Sequence, residues 1–375
     1  MASPALTDIK IPAHLLPLDG RFGSGPSKIR AEQIDAVVRA SRNILGTSHR
    51  QAPVKNLVGS VIDQMRQLFQ LPQDWDVVIG NGGASLFWDA ATFGLIHERS
   101  AHFVFGEFSS KFAQAAQLAP HLGDPIVIES APGTVPAIQQ SDVDTYCLTH
   151  NETSTGASMQ LSRPATPADA LVVVDGTSAA GGINWSPTEV DVYYFSPQKG
   201  FASEGGTWIA LCSPRATERI NKIKSTGRWC PPSLDLSLAL ENSRANQTYN
   251  TPSLSTFVML NEQLGWMLDN GGLDWCTKRT QQSADILYGW ATSRAFTEPF
   301  VGNPQHRSPV VGTIDFIDVD AAQVATVLRN NGIVDTEPYR KLGRNQLRVS
   351  MFPAVDPSDV QLLTASIDYI VEQLS

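Results

Sequence analysis

Hydrophobic positions along this chain follow two periods, and the switch between them marks out its organisation. Val54, Leu57, Val58, Val61, Ile62, Met65, Leu68 and Phe69 recur at the 3.6-residue spacing that puts every apolar side chain on one helical face. Pro53 falls in the first turn of that helix, where its missing N–H costs nothing. A shorter helix is expected from Ala31 to about Ile44, whereas Pro4, Pro12, Pro17 and Pro26 break any regular element in residues 1–28. From residue 75 short apolar runs take over. "WDVVIGN", "AHFVFGEF", "PIVIES", "TYCLTH", "LVVVDG", "VDVYYFS" and "TWIALCS" read as strands, with "ASLFWDAATFGLI" and "KFAQAAQLAPHL" as helices between them. Near-continuous apolar runs belong to strands covered on both faces, so the pattern predicts an α/β fold with a largely parallel sheet.

A helical region spans about 252–295, and the pattern then changes again. "VVGTIDFIDV", "AAQVATVLRNNG", "QLRVSMFPA" and "SDVQLLTASIDYIVEQL" alternate strand and helix, which predicts a separate small C-terminal α/β domain. The expected division is an N-terminal segment, 1–28, packing with the small domain; a large α/β domain, 29–270; a linking helix, 271–298; and the small domain, 299–375.

Composition narrows the function classes. Of 375 residues 42% are hydrophobic and only 17% charged, below the share of about 25% usual in soluble domains. A large interior or a sizeable oligomer interface would account for that. The net charge is −9 with no basic block, which argues against nucleic-acid binding; an anion must be held by a local pocket. Cys147, Cys212, Cys230 and Cys276 show no C-x-x-C pair and no histidine cluster, so reduced thiols and no metal site are expected. "MASPALTDIKIPAHLLPLDG" lacks a charged stretch followed by an apolar run, and no apolar segment reaches the length of about 18 residues that a membrane helix needs. The expectation is a soluble, cytoplasmic protein without membrane contact.

Three features carry chemistry. Gly82, Gly83, Ala84 and Ser85 lie between a strand and a helix, where free backbone N–H groups can cradle a phosphate. Asp175 ends the run "LVVVD", at the strand end where open α/β sheets bind ligands; a turn or cap aspartate would look the same. Lys199 ends "VDVYYFSPQK", where a lysine also has the option of reaching out to water. Taken together, the three are what pyridoxal 5′-phosphate requires: a lysine to form a Schiff base, a carboxylate to keep the pyridine nitrogen protonated, and a cradle for the phosphate.

"HNETSTG", "VDGTSAAGG", "FSPQKGFASEGG", "YNTPS" and "LRVSMFPA" stand in an order that resembles the phosphoserine aminotransferases, fold-type I enzymes dependent on pyridoxal phosphate within the class V aminotransferases. The likeness runs from "GRFGSGPSKIR" to "PYRKLGRNQLRVSMFPAV" and is greatest to the actinobacterial branch. It implies the aspartate aminotransferase-like fold: a large, mostly parallel-sheet domain and a small α/β domain. It also implies roles. Lys199 anchors the cofactor and later moves the proton between substrate Cα and the cofactor; Asp175 pairs with the pyridine nitrogen. Thr153 and Gln198 lie near the ring or its phenolic oxygen. Ala84 and Ser85 donate to the phosphate, and Phe108 stacks on the ring. Asn250 and Thr251 reach the phosphate in the neighbouring subunit, which implies a homodimer with shared sites; a helix cap is the plainer role for that pair.

The substrates implied are L-glutamate and 3-phosphohydroxypyruvate, giving 2-oxoglutarate and O-phospho-L-serine in serine biosynthesis, with the 4-phosphohydroxy-L-threonine step of vitamin B6 synthesis as an extension. Both substrates carry an α-carboxylate and a distal anion, which arginine can hold bidentately. Arg348 is the candidate for the α-carboxylate, and His49 with Arg50 matches the family's distal-anion pair. The chain departs from the enterobacterial pattern in two places: Ser85 stands where an arginine is expected, and "RKLGRNQ" replaces a His-Arg pair. That leaves Arg344, with Arg340 and Lys341, as candidates for the substrate phosphate, against a solvated basic loop. The rival reading is a small-substrate class V aminotransferase of the alanine–glyoxylate or serine–pyruvate type.

Overall fold

The computed structural model describes residues 6–165 and 169–374. The first five residues of the expected N-terminal segment therefore lie outside the described part of the chain. Helices α1 (Ala31–Ala40) and α2 (Ala52–Leu68) lead into strand β1 (Asp76–Asn81), helix α3 (Ala84–Gly94), β2 (Ser100–Val104), α4 (Glu107–Leu118), β3 (Ile126–Glu129) and β4 (Thr145–Thr149). A small hairpin of β5 (Asn151–Glu152) and β6 (Ala157–Ser158) precedes β7 (Leu171–Asp175), β8 (Val192–Phe195) and β9 (Thr207–Cys212). Helices α5 (Pro214–Ser225), α6 (Leu236–Arg244), α7 (Leu254–Asp269) and α8 (Gly272–Ser293) follow. The chain ends with β10 (Thr297–Pro299), β11 (Val311–Phe316), α9 (Ala321–Asn330), β12 (Gln346–Ser350) and α10 (Pro357–Leu374).

Seven strands form the main sheet in the order β1-β9-β8-β7-β4-β2-β3. All neighbours pair in parallel except β9, which runs antiparallel to both β1 and β8. The sheet is thus largely parallel with one reversed strand. Its apolar runs split by the two-residue period of a strand. Val172, Val174, Tyr193 and Phe195 face a core shared with α2 and α7, while Leu171, Val173, Val192 and Tyr194 face one shared with α3, α4 and α5. The predicted face of α2 is the buried one: Val54, Leu57, Val58, Val61, Ile62, Met65 and Leu68 are all buried, each contributing about 1.5–3 kcal/mol of hydrophobic transfer.

The structure differs from the sequence reading in one boundary and two added helices. "AHFVFGEF" does not continue as a strand; β2 ends at Val104 and α4 begins at Glu107. Here the buried Glu152 carboxylate accepts from the Phe108 and Ser109 amides, and that capping outweighs the strand preference of the aromatic run. Helices α5 and α6 were not anticipated. Their starts are set by Ser213, whose hydroxyl accepts from the Ala216 amide, and by Asp235, which accepts from Ser237 and Leu238.

A second, three-stranded antiparallel sheet, β10-β11-β12, packs with α8, α9 and α10 into its own core. Ile9, Ile11 and Phe22 of the N-terminal segment are buried in that core. The same segment is bonded along its length: the Val334 amide donates to Gly20, Phe22 to Val334, and Ser350 to the Phe22 carbonyl. The carboxyl ends of β1, β2, β4, β7 and β8 open at one edge of the main sheet, where ligands bind in open α/β folds.

Candidate active site

Lys199 sits in the segment 196–206 that joins β8 to β9. Its side chain is buried, its Nζ donates to Thr153 Oγ1 at 2.8 Å, and the amine lies 5.2 Å from the centre of the Phe108 ring. Burial pushes its pKa from 10.5 down to about 8; the positive Arg348 lowers it further, and Asp175 and Glu152 oppose. Asp175 closes β7. Its Oδ1 accepts from the Thr177 amide at 2.8 Å, and its Oδ2 accepts a long bond from Trp88 Nε1 at 3.3 Å. Ala84 and Ser85 form the first turn of α3, whose cap Gly83 offers no side chain. Among the described residues their N–H groups meet no acceptor, so the positive end of the helix faces an open position. Gln198 Oε1 is buried without a partner among the described residues.

Arg348 comes from β12, in the three-stranded sheet. Its Nη1 donates to the Thr153 carbonyl at 3.3 Å, its guanidinium carbon lies 5.5 Å from the Tyr339 ring centre, and its Nε is buried without a partner among the described residues. Burial holds this arginine below its ordinary pKa. The Tyr339 ring in turn stands 6.0 Å from Phe108. A half-buried guanidinium with one long bond to a carbonyl keeps donors free for an anion.

A second group gathers beside the turn that precedes α3. His49 Nδ1 lies 3.1 Å from Thr251 Oγ1, Arg50 donates to Gln247 Oε1 at 2.6 Å, and Thr248 Oγ1 donates to the Asn250 carbonyl at 2.6 Å. Asn81, at the end of β1, donates to the Thr251 carbonyl at 3.2 Å. Arg50, Asn250 and Thr251 are exposed, and His49 Nε2 is buried with no partner among the described residues. No hydrogen bond among the described residues links these four to Lys199, Asp175 or Arg348 of the same chain.

Arg344, a candidate for the substrate phosphate, is paired: its guanidinium grips the buried Asp315 through Nε and Nη2, and its carbon lies 4.5 Å over the Phe300 ring. Lys341 is likewise paired, with Glu107.

A family model of the class-V aminotransferases matches residues 22–363. Phosphoserine aminotransferases of Rhodococcus jostii and Rhodococcus opacus are each 56% identical to this chain over 366 residues, covering 97% of it and 98% of the relative. The chain belongs to the phosphoserine aminotransferase family of the class-V aminotransferases. Solved structures share the fold: a phosphoserine aminotransferase of Cytophaga hutchinsonii (TM-score 0.86, 23% identity, 94% of this chain and 99% of that one). A form from Trichomonas vaginalis described as bound to PLP gives 0.78 at 18% identity, over 93% and 99%.

The residues present fit the cofactor of this family. The open first turn of α3, the half-satisfied Asp175 Oδ2, the orphaned Gln198 Oε1 and the partly neutral Lys199 are the donors, acceptors and nucleophile that a phosphate, a protonated ring nitrogen, a phenolic oxygen and an aldehyde would use.

Sequence reasoning missed several members. Trp88 holds Asp175, and Tyr339 links Arg348 to Phe108. The segment Ser24–Ser27 touches the lysine itself: Ser27 bonds to the Lys199 carbonyl at 2.6 Å and to Gln198 at 2.9 Å. Ser24 is buried with its Oγ unpartnered among the described residues. At Gly25 (φ +138°) a Cβ would stand 2.9 Å from Lys199 Cε. The only signal was the clustering of small residues in "GSGPS", which reads equally as a plain turn.

Proposed function

We propose that this chain transfers an amino group between L-glutamate and 3-phosphohydroxypyruvate, giving 2-oxoglutarate and O-phospho-L-serine in serine biosynthesis. Pyridoxal 5′-phosphate is its cofactor. The observation that carries the reading is the buried Lys199 amine held by the Thr153 hydroxyl, with the Arg348 guanidinium bonded to the carbonyl of the same Thr153. Relatives at 56% identity over nearly the whole chain carry the name phosphoserine aminotransferase, which supports neither the vitamin B6 step nor the small-substrate alternative.

When bound, pyridoxal phosphate supplies a conjugated ring that draws electron density away from the substrate Cα. The rest is work for this chain. Lys199 Nζ is the covalent anchor; at a pKa of about 8 its neutral, nucleophilic form makes up about a tenth of the amine at pH 7. With the cofactor bound, the same Nζ would be placed to hold and move the proton at the substrate Cα. Asp175 Oδ2 would hold the ring-nitrogen proton, the Ala84 and Ser85 N–H groups would bind the phosphate, and Phe108, Gln198 and Thr153 would hold the ring and its oxygen. Arg348 holds the α-carboxylate that both substrates share.

We place the distal anion on His49 and Arg50 of the partner subunit, and the partner's cofactor phosphate against Asn250 and Thr251. The exposure of this group, and its tie through Asn81 to the turn before α3, support a homodimer with shared sites. No helix among the described residues is long and apolar enough to cross a membrane; we take the enzyme to work in the cytoplasm. The test is a half-reaction: purified protein with its visible cofactor band receives one amino donor at a time. O-phospho-L-serine and glutamate should bleach the band and alanine or serine should not; bleaching by alanine or serine without response to phosphoserine overturns the substrate assignment.

A further inference from the structure

Glu152 lies one residue before Thr153 and is fully buried. Its carboxylate joins two parts of the site. Oε2 accepts from the Phe108 amide (3.1 Å), the Ser109 amide (2.9 Å) and the Ser109 hydroxyl (2.9 Å). Oε1 accepts from the Ser154 amide (3.2 Å) and hydroxyl (2.7 Å), with a longer bond from Phe108 (3.4 Å). Ser154 Oγ also accepts from the Glu107 amide at 3.0 Å, closing a second tie to the start of α4.

The backbone makes room for this arrangement. A Cβ at Gly106 would fall 2.3 Å from Glu152 Cγ and 2.6 Å from Ser154 Oγ, so α4 can approach the carboxylate only through glycine. A buried carboxylate is costly unless its lone pairs are filled, and here the first-turn amides of a twelve-residue helix help to fill them. One side chain therefore fixes where α4 begins, and with it the Phe108 ring. The same side chain fixes the turn that presents Thr153 to Lys199 Nζ.

We propose that Glu152 is a positioning residue that locks the Phe108 ring to Thr153, and so sets the cofactor ring and the lysine amine in one fixed relation. It touches no reacting atom itself. The inference rests on the cofactor site proposed above. Glu152→Gln keeps the side chain's shape and can leave its remaining oxygen on the α4 amides, but gives Ser154 an N–H where it had an acceptor.

The experiment uses the loaded enzyme. Its readouts are the visible circular dichroism of the bound cofactor, which reports the asymmetry of its setting, and kcat with KM for phosphoserine. Glu152→Gln should fold, lose visible circular dichroism, and lower kcat by about 10- to 100-fold, the scale of a misplacement of the order of 1 Å, with KM changed less than threefold. Combined with Phe108→Leu it should lose little beyond the worse single variant, because both act through one ring. Unchanged dichroism with a multiplicative double variant overturns the proposal, as does wild-type kcat in Glu152→Gln. Should that variant fail to fold, Ser154→Ala, which removes one donor to the carboxylate, takes its place: reduced dichroism is expected, and wild-type dichroism and kcat overturn the idea. A wild-type protein that shows no visible band with pyridoxal phosphate would instead sink the cofactor site.

Discussion

The lowered pKa of Lys199 makes a prediction that needs no substrate. Moving the amine from 10.5 to about 8 corresponds to about 3 kcal/mol of disfavour for the charged form, with burial the first cause and the positive Arg348 the second. At pH 7 the neutral fraction rises from about 3 in 10,000 to about a tenth. Trace acetylation of the cofactor-free protein across a pH series, with mass spectrometry of the Lys199 peptide, reads the titration directly. The labelling rate should climb tenfold per pH unit up to about 8 and then level off. Arg348→Met removes a neighbouring positive charge and should move the midpoint upward. The linkage has a definite sign. Between about pH 8 and 10.5 the unfolded chain holds this proton and the folded chain does not, so folding stability gains from this group as pH rises through that window. Below pH 8 the full cost is present. A wild-type midpoint at 10 or above, or no upward movement in Arg348→Met, would refute the reasoning.

Three other predictions follow from the site. Gly25→Ala places a methyl 2.9 Å from Lys199 Cε at a φ of +138°; it should cost about 1 kcal/mol or more of stability and weaken the visible band, and a band of wild-type strength would show that the lysine does not need that gap. Mixing subunits carrying Lys199→Ala with subunits carrying Arg50→Ala should restore about a quarter of wild-type activity, since half the dimers then hold one intact site; no recovery after subunit exchange excludes sharing. Arg344→Ala leaves the buried Asp315 short of its partner, so thermal denaturation should show a loss of about 1–3 kcal/mol with KM for phosphoserine unchanged. A raised KM would return Arg344 to phosphate binding.

What the sequence made legible depended on how local the cause was. The strands of the main sheet were readable because burial on both faces leaves an apolar run. Lys199 and Asp175 were readable because each ends such a run. The reversal of β9 was not, since a strand's own residues do not encode the direction of its neighbours. The start of α4 depends on Glu152, 44 residues from Phe108. The hold of Ser27 on Lys199 spans 172 residues. Arg344 looked available because its partner Asp315 lies 29 residues back, on a strand whose pairing with β12 the sequence does not announce.

The reversal of β9 bears on how the lysine is carried. In a parallel sheet each strand is normally followed by a crossover, and residues at its end belong to a long excursion. Here β8 and β9 are hydrogen-bonded neighbours, with Phe195 opposite Ile209, so Lys199 rides on a closed hairpin segment, 196–206, anchored at both ends to the same sheet. The entropy lost in closing such a loop grows only slowly with its length, about 0.6 kcal/mol for each doubling. Lengthening the segment beyond Gly206 would therefore leave the fold nearly untouched while giving the amine slack, so the precision of the lysine and the stability of the protein are separately adjustable quantities in this chain.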